Sequence, residues 1–295
     1  GQHSKFQMRG RVQFNAKIND STNAVLQLNS GDFDFGNSQA GADAYFDRVY
    51  VQHKFGKNVS LTGGRYMQKF GTGLSYFDTF DGAQLNVGNQ KLNLQAAYGY
   101  MVAGSEQGLS TNENPEVGYV GLNGKVGRYT NLGGFYARVG SGKFNIAETV
   151  AGKTSKNKVV ETDSQNVWGF NANVNYKKAW VGGEWIKSNV DSDSQAWMAG
   201  VGYGNYDIHK ANTWKARMQY FKQEANAPVF NSLASDQPFD LRNTAAGYKG
   251  WMATVDYALA NNVGLTAKYG FDSKEVTGSN KDLGDFYRVE LNYVF

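Results

Sequence analysis

The sequence predicts an all-β protein, a transmembrane antiparallel up-and-down β-barrel, and three observations lead to this class. Segments of about ten residues alternate between apolar and polar side chains, which is the pattern of strands that face lipid on one side and water on the other. The connections between these segments alternate between short and long. The chain ends on an aromatic residue, Phe295, which closes one such alternating segment.

The composition narrows the classes of protein to consider. The 295 residues include 14% aromatic residues, 36 Gly and no Cys, with a mean hydropathy of -0.54. Without Cys the chain forms no disulfide framework and no thiolate metal site, and no apolar run reaches the roughly 18 residues of a membrane helix. The 30 basic and 26 acidic residues are spread along the chain, without the basic block of a nucleic-acid surface. We expect one barrel domain over residues 1–295, with no cofactor, metal, catalytic residue or nucleic-acid partner.

The alternation is clear from the first segment, which runs from Lys5 to Ile18. Its apolar side chains, such as Phe6 and Phe14, share one parity, and its Arg, Gln and Lys side chains share the other. Because successive side chains of a strand point to opposite faces, one face is apolar and the other is polar. Later segments that repeat the pattern cover residues 91–102, 167–176, 196–204, 213–220, 262–271 and 287–295.

The residue types on the polar side of the alternating segments distinguish a membrane barrel from a soluble β-sandwich. A sandwich would have shorter strands and a solvent face richer in Thr, Lys and Glu. Here the polar parity consists of Gly, Asn, Gln and Arg, which suits a water-filled lumen, and aromatic residues such as Trp168 and Tyr176 lie near both ends of a segment. Such positions are typical of the interfacial girdles of membrane barrels. In lipid every backbone group must be paired, so the sheet is expected to close on itself.

The strand count predicts an additional strand. About fifteen segments are readable, so the first and the last would run in the same direction, whereas bacterial single-chain barrels have an even number of strands. We therefore expect a sixteenth strand, either upstream of Gly1 or within a long loop, and an N-terminal region that has been trimmed.

Two stretches resemble known families. The ending "YRVELNYVF" resembles the C-terminal strand of outer-membrane proteins of the Gram-negative type. That resemblance implies that Phe295 is the signal read by the barrel-insertion machinery, and that the chain lies in outer-membrane lipid. The stretch "AYFDRVYVQHKFGKNVSLTGGRYMQKFGTG", residues 44–73, resembles trimeric general porins, in which a strand ending in Gly-Arg precedes the loop that folds into the pore. It looks most like porins that carry an N-terminal S-layer-homology anchor (OmpM-like). This implies a homotrimer and a link to the cell wall through a missing N-terminal region.

The resemblance to porins implies a pore constriction. The infolded loop would be "KFGTGLSYFDTFDG", Lys69 to Gly82, with its acids facing a basic barrel wall. Arg65 has the wrong parity for the lumen and would point inward only if the Gly63–Gly64 pair bulges the strand. The competing interpretation is that the acids are solvated loop carboxylates and that the arginines line a wet surface. The expected constriction residues are Arg9, Arg11, Arg48, Arg65, Asp78 and Asp81.

The charges assigned to the lumen by parity are more often basic than acidic, so we expect a mild preference for anions. Besides the three arginines with matching parity, the basic set is Lys5, Lys17, Lys91, Arg138, Lys215, Arg217, Lys268 and Arg288. The acidic set is Asp43, Glu184, Asp256, Asp272 and Glu290.

The function expected from these features is passive diffusion of ions and small hydrophilic solutes, without enzymatic turnover. A channel selective for sugars or phosphate is an alternative, since Tyr76, Phe77 and Phe80 of the loop could form part of a sugar slide. A second alternative is a structural tether of the envelope with incidental permeability. An outer-membrane hydrolase is a third, although nothing pairs a Ser with His53 or His209.

Overall fold

The computed structural model describes residues 6–36, 44–102, 115–150, 153–230, 246–276 and 280–295, with residues 142–150 and 153–162 described by their backbone alone. No helix in these ranges is long and apolar enough to cross a membrane. The strands are β1 Gln7–Asn19, β2 Thr22–Asp34, β3 Tyr45–Lys54, β4 Val59–Lys69, β5 Phe77–Gly88, β6 Leu92–Met101, β7 Glu116–Val126, β8 Thr130–Val139, β9 Gly142–Val150, β10 Lys153–Thr162, β11 Gln165–Tyr176, β12 Ala179–Ser188, β13 Gln195–Asn205, β14 Trp214–Gln223, β15 Tyr248–Ala260, β16 Val263–Lys274 and β17 Phe286–Tyr293.

Fifteen of these strands form one antiparallel sheet in chain order, which confirms the predicted all-β up-and-down barrel. Each strand pairs with the next along the chain, except that β8 pairs with β11. The strands β9 and β10 lie between β8 and β11 in the chain and form a separate two-stranded hairpin. The sequence pattern predicts a long loop in this region. The second strand of the hairpin has only Val159 and Val160 as apolar residues, and they are adjacent rather than alternating.

The sheet order ends at β1 and β17, and no sixteenth strand joins them among the described ranges. As the first and the last of fifteen antiparallel strands, β1 and β17 run in the same direction. All of β1 is exposed, including its polar face, whereas most inner-face residues of β4 and β12 are partly or fully buried. The edges of the sheet are therefore open in the described structure.

The two faces of the sheet divide the side chains as the alternation predicts. Large apolar side chains on the outer face are exposed, for example Tyr98 at 61%, Phe170 at 63% and Val289 at 63%. Inner-face neighbours within the sheet are buried, for example Ala97 beside Tyr98 and Asn171 beside Phe170. Because so much apolar surface faces outward around the barrel, the outer face fits lipid rather than water.

Tyr and Trp residues form two belts on the outer face, but only over part of the barrel. On strands β6 to β17 they lie near the loop end and near the turn end of the strands, as interfacial girdles do. The outer face of β1 to β5 carries no Tyr or Trp among the described residues, because Tyr50 and Tyr66 pack against the interior cluster and Tyr45 pairs with the buried Asn29. The belts comprise Tyr98, Tyr100, Tyr136, Trp168, Trp185, Trp197, Tyr220, Trp251, Tyr269 and Tyr287 at the loop end, and Tyr176, Tyr203, Trp214, Tyr257 and Tyr293 at the turn end.

Candidate functional site

The connection between β4 and β5 folds into the barrel, but it is shorter than predicted. The ladder between the two strands continues to the pair Lys69 and Phe77, so the infolded segment is only Phe70–Tyr76, here called the constriction loop. Asp78 and Asp81 consequently lie on β5 and not in the loop. The predicted loop of Lys69 to Gly82 is wrong in extent because the backbone pairing of the strands extends further than their apolar alternation suggested.

Glu184 on β12 holds the constriction loop. Its Oε1 accepts a hydrogen bond from the backbone nitrogen of Thr72 at 2.9 Å, and its Oε2 accepts from the Thr72 hydroxyl at 2.5 Å. Oε2 also accepts from the backbone nitrogen of Leu74 at 3.0 Å. The carboxylate is buried at 3% exposure, and these donors replace the water that burial removes.

Gly71 allows the loop to approach Glu184. Its φ of +57° lies in the left-handed region, and a Cβ at this position would stand 1.9 Å from the Glu184 Oε1. A larger residue would therefore be strained and would also clash with the carboxylate that anchors the loop. The backbone nitrogen of Gly71 donates to the Tyr119 hydroxyl at 3.3 Å, which ties the same turn to β7.

An aromatic cluster fills the lumen on the side of β6 to β8 and β11. Phe70 of the loop stacks on Tyr119 with ring centroids 4.8 Å apart, and Phe135 of β8 packs against both rings. Tyr76 packs on Phe70 from within the loop. Burial raises the pKa of Tyr76 well above its ordinary value, so this phenol remains neutral. The cluster leaves little room for water on this side of the barrel.

A second connection reaches the constriction loop. After β14 the chain passes through Ala225–Phe230, here called the distal segment. The Ser75 hydroxyl donates to the Pro228 carbonyl oxygen at 2.6 Å, and the Phe230 nitrogen donates to the Ser75 carbonyl oxygen at 2.9 Å. Ser75 is fully buried at this junction. The sequence pattern predicts a polar loop here, although the run "APVF" is an apolar signal within it.

The wall formed by β1 to β3 carries charges of both signs. A register shift in β3 places Asp47 and Arg48, which are consecutive, on the same inner side. Asp47 lies 3.7 Å from the Arg11 guanidinium and accepts from the Asn29 amide at 2.8 Å. Asp47 is absent from the predicted site because strict alternation assigns it to the outer face. Two adjacent charged residues within an alternating strand are the signal that could have revealed the bulge.

Three predicted arginines and one predicted acid do lie on the inner side. Arg9 pairs with Asp32 at 2.6 Å, and Arg11 and Arg48 both interact electrostatically with the Asp78 carboxylate. Asp78 is buried on β5 and accepts from the Thr79 nitrogen at 2.6 Å. The structure thus brings Asp78 close enough to Arg11 and Arg48 for their charges to interact, whereas Arg9 pairs with Asp32.

Arg65 and Asp81 instead form an ion pair on the outer face. Arg65 Nε donates to Asp81 Oδ1 and Nη2 to Oδ2, each at 2.7 Å. The pairing of β4 with both neighbours runs through Gly63 and Gly64 without a register shift. The bulge on which an inward Arg65 depends is therefore absent, and the prediction that both residues face the lumen is wrong.

Other predicted lumen charges divide in the same way. Arg217 and Asp256 are paired at 3.3 Å on the inner side, and Arg288 and Glu290 at 2.5 Å. Arg138 shares the outer parity with Tyr136, because its neighbours in β8, Ala137 and Val139, are buried inside. Arg138 is therefore not one of the inward basic residues, and the prediction that it faces the lumen is wrong. Lys5 and Asp43 lie outside the described residues.

Comparisons with known proteins identify relatives of this architecture. A family model described as "Putative porin" matches residues 141–295. The fold is similar to OmpT of Vibrio cholerae in a trimer form, with a TM-score of 0.57 and 14% identity over 97% of this chain and 96% of that one. It is also similar to a mutant of the Rhodopseudomonas blastica porin, with a TM-score of 0.55 and 11% identity over 98% of this chain and 90% of that one. The comparison with curated proteins gave no match.

Proposed function

Because the chain belongs to this family of porins, we propose that it is a single-domain passive diffusion porin of the outer membrane. Its role is to let ions and small hydrophilic solutes cross through a water-filled lumen. The observation that carries the proposal is the inner wall, where Arg11, Asp47 and Arg48 face the lumen while the outer face is apolar. A soluble barrel would have the opposite arrangement, with apolar side chains inside and charged side chains on the outer face.

The constriction proposed for this pore lies between the constriction loop and the wall of β1 to β3. Size exclusion follows from the loop, and the charges set the preference among ions. The three arginines of the wall are accompanied by Asp32, Asp47 and Asp78, so the local charges nearly balance. We propose a mild anion preference, because the charged side chains assigned to the lumen are still more often basic than acidic when Arg138 is left out.

Single-channel recording in planar lipid bilayers with a salt gradient tests the function. We expect stepwise conductance and a reversal potential on the anion-selective side. Insertion without conductance would contradict a porin. A clearly cation-selective reversal potential would contradict the proposed preference while leaving the channel function intact.

The alternative of a sugar slide in the loop finds little support in the geometry. Tyr76 and Phe80 are buried at 1% and 0% exposure. Phe77 pairs with Lys69 on the outer parity, where the Lys69 ammonium lies 5.4 Å from its ring. None of the three rings therefore offers a face to a solute in the lumen.

We further propose a homotrimer whose subunits meet through the outer faces of β1 to β5. Interfacial Tyr and Trp mark contact with lipid headgroups, and this sector lacks them while carrying the outward pair of Arg65 and Asp81. A second copy would cover both features, and the similar OmpT structure is that of a trimer form. Outer-membrane lipid would cover the remaining strands.

The interface is tested by placing a second positive charge beside Arg65 on the outer face of β1 to β5. Val49 on β3 is outward and adjacent to Arg65 in the ladder, so Val49→Arg is expected to shift the detergent-solubilised protein from trimer toward monomer. Val201→Arg on β13 is the matched control on the lipid-facing side. A trimer that is unaffected by Val49→Arg but disrupted by Val201→Arg would contradict the proposed interface.

A further inference from the structure

The two connections that meet at Ser75 start from distant parts of the sheet. The constriction loop joins β4 and β5, the fourth and fifth strands in sheet order, whereas the distal segment follows β14, the twelfth. In a barrel built from this sheet, strands so far apart lie on opposite walls. The hydrogen bonds between Ser75 and the distal segment therefore form within the lumen and not along one wall.

Each connection is also fixed close to the junction. On one side, Glu184 binds the constriction loop at Thr72 and Leu74. On the other side, the backbone nitrogen of Asn226 donates to the Asp193 carbonyl oxygen at 2.8 Å, and the Asn226 amide donates to the Ser192 carbonyl oxygen at 3.0 Å. The distal segment is thus held from the loop between β12 and β13 before it reaches Ser75.

The distal segment is apolar where it enters the lumen. Pro228 is buried, and Val229 and Phe230 pack against the interior cluster. In a loop that remained in water these side chains would be exposed, so their burial favours the inward position of the segment. Their burial and the two hydrogen bonds at Ser75 indicate a built contact between the segments.

We propose that the constriction loop and the distal segment together form one strut across the lumen. This strut sets the minimum diameter of the pore and displaces the open passage from the barrel axis. On one side of the strut the lumen is filled by the aromatic cluster of Phe70, Tyr119 and Phe135. On the other side it is bounded by the charged wall of β1 to β3 and by the inner faces of β16 and β17, which carry Thr266, Lys268, Arg288 and Glu290. This inference rests on the proposed channel function, and it assigns the distal segment as a second constricting element.

Shortening the side chains of the distal segment tests its role in permeation. The triple variant Pro228→Gly, Val229→Gly and Phe230→Gly is expected to raise the single-channel conductance by about twofold, because conductance follows the width of the narrowest section. The control is Val190→Gly with Asp191→Gly, in the exposed loop between β12 and β13, and its conductance is expected to remain that of the wild type.

A cysteine pair tests the contact itself, even if the glycine variant does not fold. The chain contains no Cys, so Ser75→Cys with Val229→Cys introduces the only thiols. Val229 lies between the two residues that bind Ser75, and we expect oxidation to yield an internal crosslink detectable by mobility on a denaturing gel. The matched control is Ser75→Cys with Val190→Cys, which should remain uncrosslinked.

The outcomes separate this inference from the channel function. A wild-type protein that inserts but does not conduct overturns the proposed porin, while the crosslink can still form. A conducting wild type whose glycine variant has the same conductance overturns the strut as a constricting element. Absence of the Ser75–Val229 crosslink under conditions that oxidise a paired-strand control overturns the contact.

Discussion

Glu184 binds Thr72 through both of its carboxylate oxygens, one to the backbone nitrogen and one to the hydroxyl. The constriction loop therefore depends on a side chain from a distant strand. We expect Glu184→Ala to release the loop and leave its backbone donors unsatisfied, at a cost of about 1–3 kcal/mol. Single-channel records should then show larger fluctuations of the open current than those of the wild type.

Glu184→Gln and Glu290→Gln are the controls for this release. The amide of Glu184→Gln keeps one acceptor oxygen, so its open-channel noise should fall between those of the wild type and Glu184→Ala. Glu290→Gln removes a lumen carboxylate that does not touch the loop. If it raises the noise as much as Glu184→Ala, lost charge rather than loop release is the cause.

Arg48 and Arg65 are close in sequence but lie on opposite faces of the barrel, so they form a matched pair. Arg48→Glu is expected to move the reversal potential toward cation selectivity, because it reverses a charge on the inner wall. Arg65→Glu is expected to leave the reversal potential near that of the wild type. Equal shifts from both variants in the same salt gradient would contradict the assigned orientations.

The open edges at β1 and β17 lead to a prediction about how the barrel closes. Because these strands run in the same direction, a sixteenth strand antiparallel to both would complete the pairing that lipid demands. It would place β1 and β17 about 10 Å apart, at twice the strand spacing, which is beyond the about 7 Å that a disulfide can span. We therefore expect no crosslink between Gln13→Cys and either Arg288→Cys or Glu290→Cys.

The control for this closure is Lys268→Cys with Arg288→Cys, two directly paired positions of β16 and β17. It should crosslink readily in the same oxidant. A crosslink from Gln13→Cys to β17 would show that the two strands meet directly, and the barrel would then have an odd number of strands.

Phe295 is the residue that the resemblance to outer-membrane proteins assigns as the insertion signal. Its side chain is fully exposed in the monomer and lies beyond the end of β17, so it contributes little to packing. Deletion of Phe295 is expected to lower the amount of folded protein in the outer membrane severalfold while leaving refolding into detergent unchanged. Equal losses in both assays would indicate a structural role instead.

The local alternation of side chains was sufficient to predict the fold class and the inner position of Arg9, Arg11 and Arg48, whereas Asp78 was expected beside them only from the resemblance to porins, as part of the infolded loop. It failed where a strand departs from strict period 2. The bulge at Asp47 and Arg48 inverts one residue, and the assumed bulge at Gly63 and Gly64 does not occur.

Contacts between remote parts of the chain were beyond prediction for a different reason. The junction of Ser75 with Phe230 joins residues far apart in the sequence, and no local pattern encodes that distance. The same holds for the hydrogen bonds of Glu184 to the constriction loop. The resemblance to porins with an N-terminal anchor and the link to the cell wall stay predictions from sequence.

The constriction loop, "FGTGLSY", and the distal segment, "ANAPVF", contain no ionisable acid or base that is charged at neutral pH. A membrane voltage does work only on charge that moves through it, about 2.3 kcal/mol per elementary charge for 100 mV. Displacement of the strut would move almost no charge through the membrane field. A membrane voltage therefore does almost no direct work on these segments, and a voltage-induced movement of the strut would have to act through charged side chains outside them, such as Glu184, which holds the constriction loop.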